Sequence, residues 1–132
     1  MSLGRQNAEV VRKAYDAFNT ADVAILMELF DDNVSWHTPG RSSIGGDYQG
    51  KEATLGQLGR FVEDTGGSFK ALLQEVTWSD SGAVISIHRN TAERSGKQLD
   101  VLCCIVFEVA DGKITSGREN FFDLYAWDEF WS

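Results

Sequence analysis

The sequence has 132 residues, of which 42% are hydrophobic and 24% charged, a composition typical of one globular domain. Twelve lysines and arginines against 20 aspartates and glutamates give a net charge of −8, which argues against nucleic acids and anionic membranes as partners. No apolar run is long enough to cross a bilayer, and the N-terminus lacks an apolar signal-peptide region. We therefore expect a single domain over residues 1–132. Cys103 and Cys104 are adjacent in a predicted strand and unsuited to a disulfide, so we expect reduced thiols and a cytoplasmic protein.

The first third of the chain has the spacing of amphipathic helices. Apolar residues recur every three or four positions over residues 7–19, which predicts a first helix. Asp22 is a suitable N-cap for a second, short helix. A short strand at 34–37 and a loop at 41–50 precede a third helix, which is predicted over residues 51–65.

The second half of the chain has the pattern of consecutive antiparallel strands. Alternating apolar residues predict four of them, at residues 69–78, 83–94, 98–110 and 113–123. Turns that contain glycine separate them, and Asp111-Gly112 between two apolar runs is a strong hairpin signal. The aromatic stretch 124–132 is expected to pack back as a short tail. Three helices followed by hairpins predict an α+β fold, with a curved antiparallel sheet and helices on one side.

The predicted turns place side chains of neighbouring strands opposite one another. A two-residue turn at 111–112 puts Cys104 opposite Glu119, and a three-residue loop at 95–97 puts His88 opposite Cys104. One face of the sheet then carries a row of His88, Cys104 and Glu119, whereas the opposite face is almost wholly apolar. An error of one residue in either turn would move these side chains to the other face.

Two arrangements of this sheet are compatible with the pattern. In the first, the apolar face packs on the helices, and His88 and Glu119 form a solvated pair of little consequence. In the second, the helices cover the mixed face and enclose a polar-lined cavity, while the apolar face binds a second copy of the chain. His88, Cys104 and Glu119 would then supply a base, a thiol and an acid to the floor of a pocket.

A series of short motifs resembles the SnoaL-like proteins of the nuclear transport factor 2-like superfamily. These motifs are Val10-Val11-Arg12 with Tyr15, Asn19-Thr20-Ala21-Asp22, Leu29-Phe30-Asp31-Asp32-Asn33-Val34 with Trp36, Gly46-Asp47-Tyr48-Gln49-Gly50, Asp111-Gly112-Lys113-Ile114 and Glu119-Asn120-Phe121-Phe122-Asp123. The resemblance implies a cone-shaped fold, in which three N-terminal helices lie over the concave face of the sheet and form a pocket for a small molecule. It also implies homodimers through the outer sheet face, and thus favours the second arrangement.

The same resemblance bears on the reaction. The superfamily includes ketosteroid isomerase, limonene epoxide hydrolase and polyketide cyclases, so the fold does not define the activity. The functional side chains of ketosteroid isomerase are all replaced here, its general base by Thr38, and its mechanism is not expected. The catalytic triad of limonene epoxide hydrolase falls on His88, Ser86 and Glu119, which keeps two ionisable groups but loses the arginine.

The sequence therefore predicts an enzyme that uses acid–base chemistry without a cofactor or metal. Its reaction would be of the isomerase, cyclase or hydrolase type, on a small apolar metabolite that is cyclic or contains a carbonyl group. His88 and Glu119 are the expected catalytic pair. The expected ligand contacts are Tyr15, Trp36, Thr38, Tyr48, Ser86, Asn90, Leu102, Cys104 and Phe121. The alternative is a non-catalytic module of the same fold that binds a small ligand or acts as a dimeric interaction protein.

Overall fold

The computed structural model describes residues 2–132. Its elements are α1 (Leu3–Asn19), α2 (Val23–Leu29), β1 (Phe30–Thr38), β2 (Gly46–Gln49), α3 (Lys51–Glu63), β3 (Lys70–Trp78), β4 (Val84–Arg94), β5 (Lys97–Ala110), β6 (Lys113–Phe121) and α4 (Leu124–Trp131). The strands form one sheet in the order β2-β1-β6-β5-β4-β3. The predicted α+β fold, with helices over one face of a curved sheet, is confirmed, and it contains one helix more than expected.

The N-terminal helices follow from capping and from the apolar periodicity. Helix α1 begins earlier than predicted because the Ser2 side chain accepts a hydrogen bond from the Arg5 amide at 3.2 Å. Asp22 caps α2 as predicted, since its carboxylate accepts a hydrogen bond from the Ile25 amide at 3.2 Å. No helix among residues 2–132 is long and apolar enough to cross a membrane.

The sheet is mixed, because β1 runs parallel to β6 and antiparallel to β2. Strand β1 is longer than the predicted 34–37, and β2 lies in the segment that we expected to be a loop. In the parallel pair Trp36 lies beside Gly117, where a Cβ atom would overlap the Trp36 ring. Glycine at this position therefore allows the indole to lie across the sheet above β6.

The aromatic C-terminal stretch packs back on the domain, as expected, but it forms the helix α4. The carboxylate of Asp123 caps this helix by accepting a hydrogen bond from the Ala126 amide at 3.0 Å. Trp127 stacks on Phe121 with a distance of 3.8 Å between ring centroids. Helix α4 thus adds apolar rings to the core beside the three N-terminal helices.

Both predicted registers of β5 are wrong by one residue, which reverses the faces of this strand. The turn before β5 has two residues instead of three, and both have positive φ angles, so His88 lies opposite Cys103. The turn after β5 has the predicted two residues, with Ala110 opposite Lys113. A register shift between Glu108 and Val109 displaces the pairing beyond it by one residue, so Glu119 lies opposite Ile105. The predicted row of His88, Cys104 and Glu119 therefore does not exist.

Leu102 and Cys104, which we expected to contact a ligand, lie on the outer face of the sheet and are partly exposed. The residues of β5 that lie under the helices are Leu99, Val101, Cys103, Ile105 and Phe107. The polar residues of β4 and β6 also lie under the helices, as the second arrangement requires. The concave face is therefore an apolar central strand flanked by two strands with buried polar groups.

Candidate active site

A cavity lies between the helices and the concave face of the sheet. It has a volume of about 60 Å³, and the empty space that includes its open mouth is about 480 Å³. Six of its fifteen lining residues are phenylalanine or tryptophan, namely Phe18, Phe30, Trp36, Phe61, Phe69 and Phe107. Tyr15, His88, Asn90 and Glu119 also reach this lining. An apolar cavity with a few converging polar groups is the usual character of a small-molecule site.

Glu119 is a buried carboxyl group whose two oxygens differ. Oε1 accepts hydrogen bonds from Thr38 Oγ1 at 2.6 Å and from Trp36 Nε1 at 3.1 Å. Oε2 has no hydrogen-bond partner among residues 2–132. Burial raises the pKa of Glu119 to about 7, although the hydrogen bonds from Thr38 and Trp36 act in the opposite direction. Near neutral pH this carboxyl group therefore exists in both protonation states.

A further residue, Gln57 of α3, determines the direction of these hydrogen bonds. Its Nε2 atom donates to the carbonyl of Ile44 at 3.3 Å and to Thr38 Oγ1 at 2.7 Å. Because a carbonyl oxygen only accepts, the nitrogen of the Gln57 amide must lie at this end. The Thr38 hydroxyl then accepts from Gln57 and donates its own proton to Glu119. We call Gln57, Thr38, Trp36 and Glu119 the carboxyl network.

Proton placement on Glu119 follows from the carboxyl network. Both groups that face Oε1 are donors, since an indole N–H only donates and the Thr38 proton is already directed at this oxygen. A proton on Glu119 must therefore occupy Oε2, the oxygen without a protein partner. In either protonation state, Oε2 is the atom of Glu119 that is free to exchange a proton with a ligand.

The second buried network surrounds His88. Tyr15 Oη lies 2.6 Å from His88 Nδ1 and 2.7 Å from Ser86 Oγ. Burial lowers the pKa of His88 to about 4, while a hydrogen bond with the Asn90 side chain acts in the opposite direction. Burial also raises the pKa of Tyr15 well above its ordinary value, so this hydroxyl keeps its proton. We call Ser86, Tyr15, His88 and Asn90 the imidazole network.

The imidazole network has a consistent donor order. Near neutral pH the His88 ring is uncharged, so one ring nitrogen carries a proton and the other accepts. With that proton on Nε2, Nδ1 accepts from Tyr15, which in turn accepts from Ser86. The Nδ2 atom of Asn90 is buried and has no hydrogen-bond partner among the described residues.

His88 and Glu119 do not form the pair that the sequence predicted. They lie on β4 and β6, which are separated by β5, and in different rows of the sheet. Ile105 connects Glu119 with Ser86, whereas His88 lies beside Cys103. Tyr15, rather than Glu119, faces His88 Nδ1.

The other expected ligand contacts fall into three groups. Tyr15, Trp36 and Asn90 line the cavity, whereas Thr38 and Ser86 lie behind it and hydrogen-bond to lining residues. Tyr48 does not line the cavity, because its hydroxyl donates to the Ile44 carbonyl at 2.8 Å. Phe121 is likewise absent from the lining and stacks on Trp127.

Gln57 is the residue of this site that sequence reasoning missed. It lies on the buried stripe of α3, three positions after Thr54 and four positions before Phe61. A long polar side chain in such a stripe needs buried partners, and this was the available signal. No group of three or more histidine, cysteine, aspartate or glutamate side chains in residues 2–132 is placed to hold a metal ion.

Comparisons with known proteins agree with this geometry. The profile of the SnoaL-like domain matches residues 11–117. An uncharacterized protein of Mycobacterium tuberculosis is 32% identical over 124 residues, which is 94% of this chain and 95% of that protein. The structure of Bal32a, from a soil-derived mobile gene cassette, is 61% identical with a TM-score of 0.98, covering 99% of this chain and 100% of that one. A protein of unknown function with a cystatin-like fold from Xanthomonas campestris is 24% identical with a TM-score of 0.89, covering 96% and 98%.

Proposed function

The chain belongs to the SnoaL-like family, and from this premise we propose that it is a cofactor-free enzyme that moves a proton on a small molecule bound in its cavity. Isomerisation and intramolecular cyclisation of a carbonyl compound both begin with such a proton transfer. Water addition needs the same kind of group to activate the water. All three reactions place one acid–base residue beside an apolar ligand.

The observation that carries this proposal is the environment of Glu119. A general acid or base works best when its pKa lies near the operating pH, and burial brings the pKa of Glu119 to about 7. The carboxyl network occupies Oε1 with two donors and leaves Oε2 without a protein partner. A buried carboxyl group with a raised pKa in a cavity is a recognised mark of catalytic sites.

His88 has a different role in this proposal from the base that the sequence suggested. A pKa of about 4 leaves His88 neutral at physiological pH and makes it a weak base. The Tyr15 hydroxyl also engages its Nδ1 atom at 2.6 Å. We assign His88 the task of fixing the side chain of Asn90, while Glu119 moves the proton.

The test is an exchange assay that does not require the natural substrate. Small ketones are incubated with the protein in D₂O, and loss of the proton beside the carbonyl is followed by NMR. We expect the protein to accelerate this exchange for at least one ketone. Glu119→Gln should lower the accelerated rate by about 10²- to 10⁴-fold, the usual contribution of a general acid–base group.

The control is Glu108→Gln, which changes an exposed carboxylate on β5 and should leave the exchange rate unchanged. Equal rates for wild type and Glu119→Gln would remove Glu119 as the acid–base group.

The small cavity favours one second candidate, a binding module without turnover. Cavities of about 150 Å³ can bind benzene, whereas this one has about 60 Å³ apart from its mouth. Ketones that bind without any exchange would favour this alternative.

A further inference from the structure

The amide nitrogen of Asn90 is an unusual feature of the cavity. Asn90 is 2% exposed and lies on the cavity lining, and its Nδ2 atom has no partner among residues 2–132. Buried donors in native proteins are nearly always paired with protein or ligand groups. The N–H groups of Asn90 Nδ2 therefore lack an acceptor, and a molecule bound in the cavity would supply one.

We propose that Asn90 Nδ2 binds an acceptor oxygen, such as a ketone or ester carbonyl, of an uncharged ligand. The inference rests on the proposed function in taking this cavity as the ligand site, and it adds the residue that binds the ligand oxygen and the absence of a negative charge on the ligand. Asn90 and Glu119 then bind different parts of one molecule. The donor of Asn90 holds the oxygen, and Oε2 of Glu119 faces another part of the ligand.

The packing around Asn90 supports this role because it restricts the side chain. Asn90 lies two residues from His88 on the buried face of β4, so the two side chains are neighbours. His88 is in turn fixed by Tyr15, whose hydroxyl bridges to Ser86. A donor held in this way loses little rotational freedom when a ligand binds.

The charge of the lining excludes an anionic ligand. Among residues 2–132, no lysine or arginine lines this cavity. The one ionisable acid, Glu119, is neutral or negative, and would oppose a second negative charge. A carboxylate or phosphate would therefore lose its hydration without gaining a counter-charge, which is strongly unfavourable in an apolar cavity.

The volume sets the size of the group that enters the cavity. About 60 Å³ corresponds to four to six water-sized sites at roughly 10–15 Å³ each. A five-membered ring ketone has six non-hydrogen atoms and is therefore a suitable probe. Larger molecules would extend through the open mouth of the cavity.

The experiment follows the Asn90 side-chain amide in ¹⁵N-labelled protein by two-dimensional NMR. Three probes of similar shape are titrated: cyclopentanone, cyclopentane and cyclopentanecarboxylate. The signal of Asn90 is assigned by its loss in Asn90→Leu. We expect cyclopentanone to move this signal, and to bind about tenfold more tightly than cyclopentane, as one added hydrogen bond of ordinary strength would give. The carboxylate should not bind.

In Asn90→Leu the preference for the ketone over the hydrocarbon should disappear. If this variant does not fold, the wild-type titration decides the question alone. The inference is overturned if the ketone binds no better than cyclopentane, if it binds without moving the Asn90 signal, or if the carboxylate binds as well as the ketone.

These results are independent of those that test the acid–base role. Glu119→Gln should keep the Asn90 shift with cyclopentanone, because Gln preserves the size and hydrogen bonding of the side chain. A shift without proton exchange would support the acceptor site and reject catalysis. Exchange without a shift would support catalysis and reject the acceptor site.

Discussion

Glu119 and His88 should affect the pH dependence of stability in opposite directions. Burial raises the pKa of Glu119 from 4.5 to about 7, so its contribution to stability is full below pH 4.5 and is lost as the pH rises through 7. Burial lowers the pKa of His88 from 6.5 to about 4, so its contribution is full above pH 6.5 and is lost as the pH falls through 4. Between pH 4.5 and 6.5 the two effects oppose each other.

Each effect is large enough to measure. The pKa of Glu119 changes from 4.5 to about 7 and that of His88 from 6.5 to about 4. At roughly 1.4 kcal/mol per pH unit, each change is worth about 3 kcal/mol of unfolding free energy. In the wild type the two effects on the unfolding free energy should nearly cancel over pH 4.5–6.5. When one of the two residues is replaced, the pH dependence caused by the other becomes measurable.

The assay is urea-induced unfolding of wild type, Glu119→Gln and His88→Gln at a series of pH values from 4 to 8. As the pH rises from 4.5 to 7, the unfolding free energy of Glu119→Gln should increase by about 3 kcal/mol relative to that of the wild type. As the pH rises from 4 to 6.5, the unfolding free energy of His88→Gln should decrease by about the same amount relative to that of the wild type. Other ionisable groups contribute equally to all three proteins, so the differences isolate the two buried residues.

Glu108→Gln serves as the control, since Glu108 is exposed on β5 and its removal should change stability by a similar small amount at every pH. Differences between wild type and Glu119→Gln that do not vary with pH would refute the argument from burial.

Two further predictions concern the hydrogen bonds of Glu119 and His88, and a third concerns the outer face of the sheet. Thr38→Val removes a donor to Oε1 and should raise the pKa of Glu119 further, measured by carbon-13 NMR of the labelled carboxyl group; an unchanged pKa would mean that Thr38 does not donate to it. Tyr15→Phe removes the hydroxyl between Ser86 and His88 and should lower the unfolding free energy by about 1–3 kcal/mol in urea titrations; a loss below about 0.5 kcal/mol would show that these bonds contribute little. The partly exposed outer face of β5, including Leu102, should bind a second copy of the chain, so light scattering should give twice the monomer mass. Leu102→Glu should then give a monomer, and a monomeric wild type would contradict the prediction.

The helices and hairpins were predictable from local signals, but the face of β5 was not. Leu99 and Val101 are buried while Leu102 and Val106 are partly exposed, so both faces of this strand are apolar and alternation does not distinguish them. The length of the turn before β5 decides the register with β4, and the register shift near the end of β5 decides the register with β6. Arg94 pairs with Lys97, one residue from the predicted pairing, and this difference moved Cys104 out of the cavity.

The polar groups of the site were easier to predict on β4 and β6 than elsewhere. Ser86 and His88 alternate with Ile85 and Ile87 along β4, and Asn90 follows on the same face. The family resemblance placed Glu119 with them in a pocket. The strand β2 was missed because it has only four residues. The direction of the hydrogen bonds around Glu119 depends on Gln57 and on the carbonyl of Ile44. No sequence pattern describes that contact, because it joins α3 to the loop before β2.

The two buried networks have complementary ends at the cavity. The carboxyl network ends at Glu119 Oε2, which can give or take a proton, and the imidazole network ends at Asn90 Nδ2, which can only donate a hydrogen bond. A carbonyl held by Asn90 becomes more acidic at its neighbouring carbon, because the same hydrogen bond strengthens as negative charge develops on the oxygen. Glu119 as a carboxylate would take that proton and return it at another carbon. The arrangement therefore gives each network a separate task, and the exchange and titration experiments measure those tasks separately.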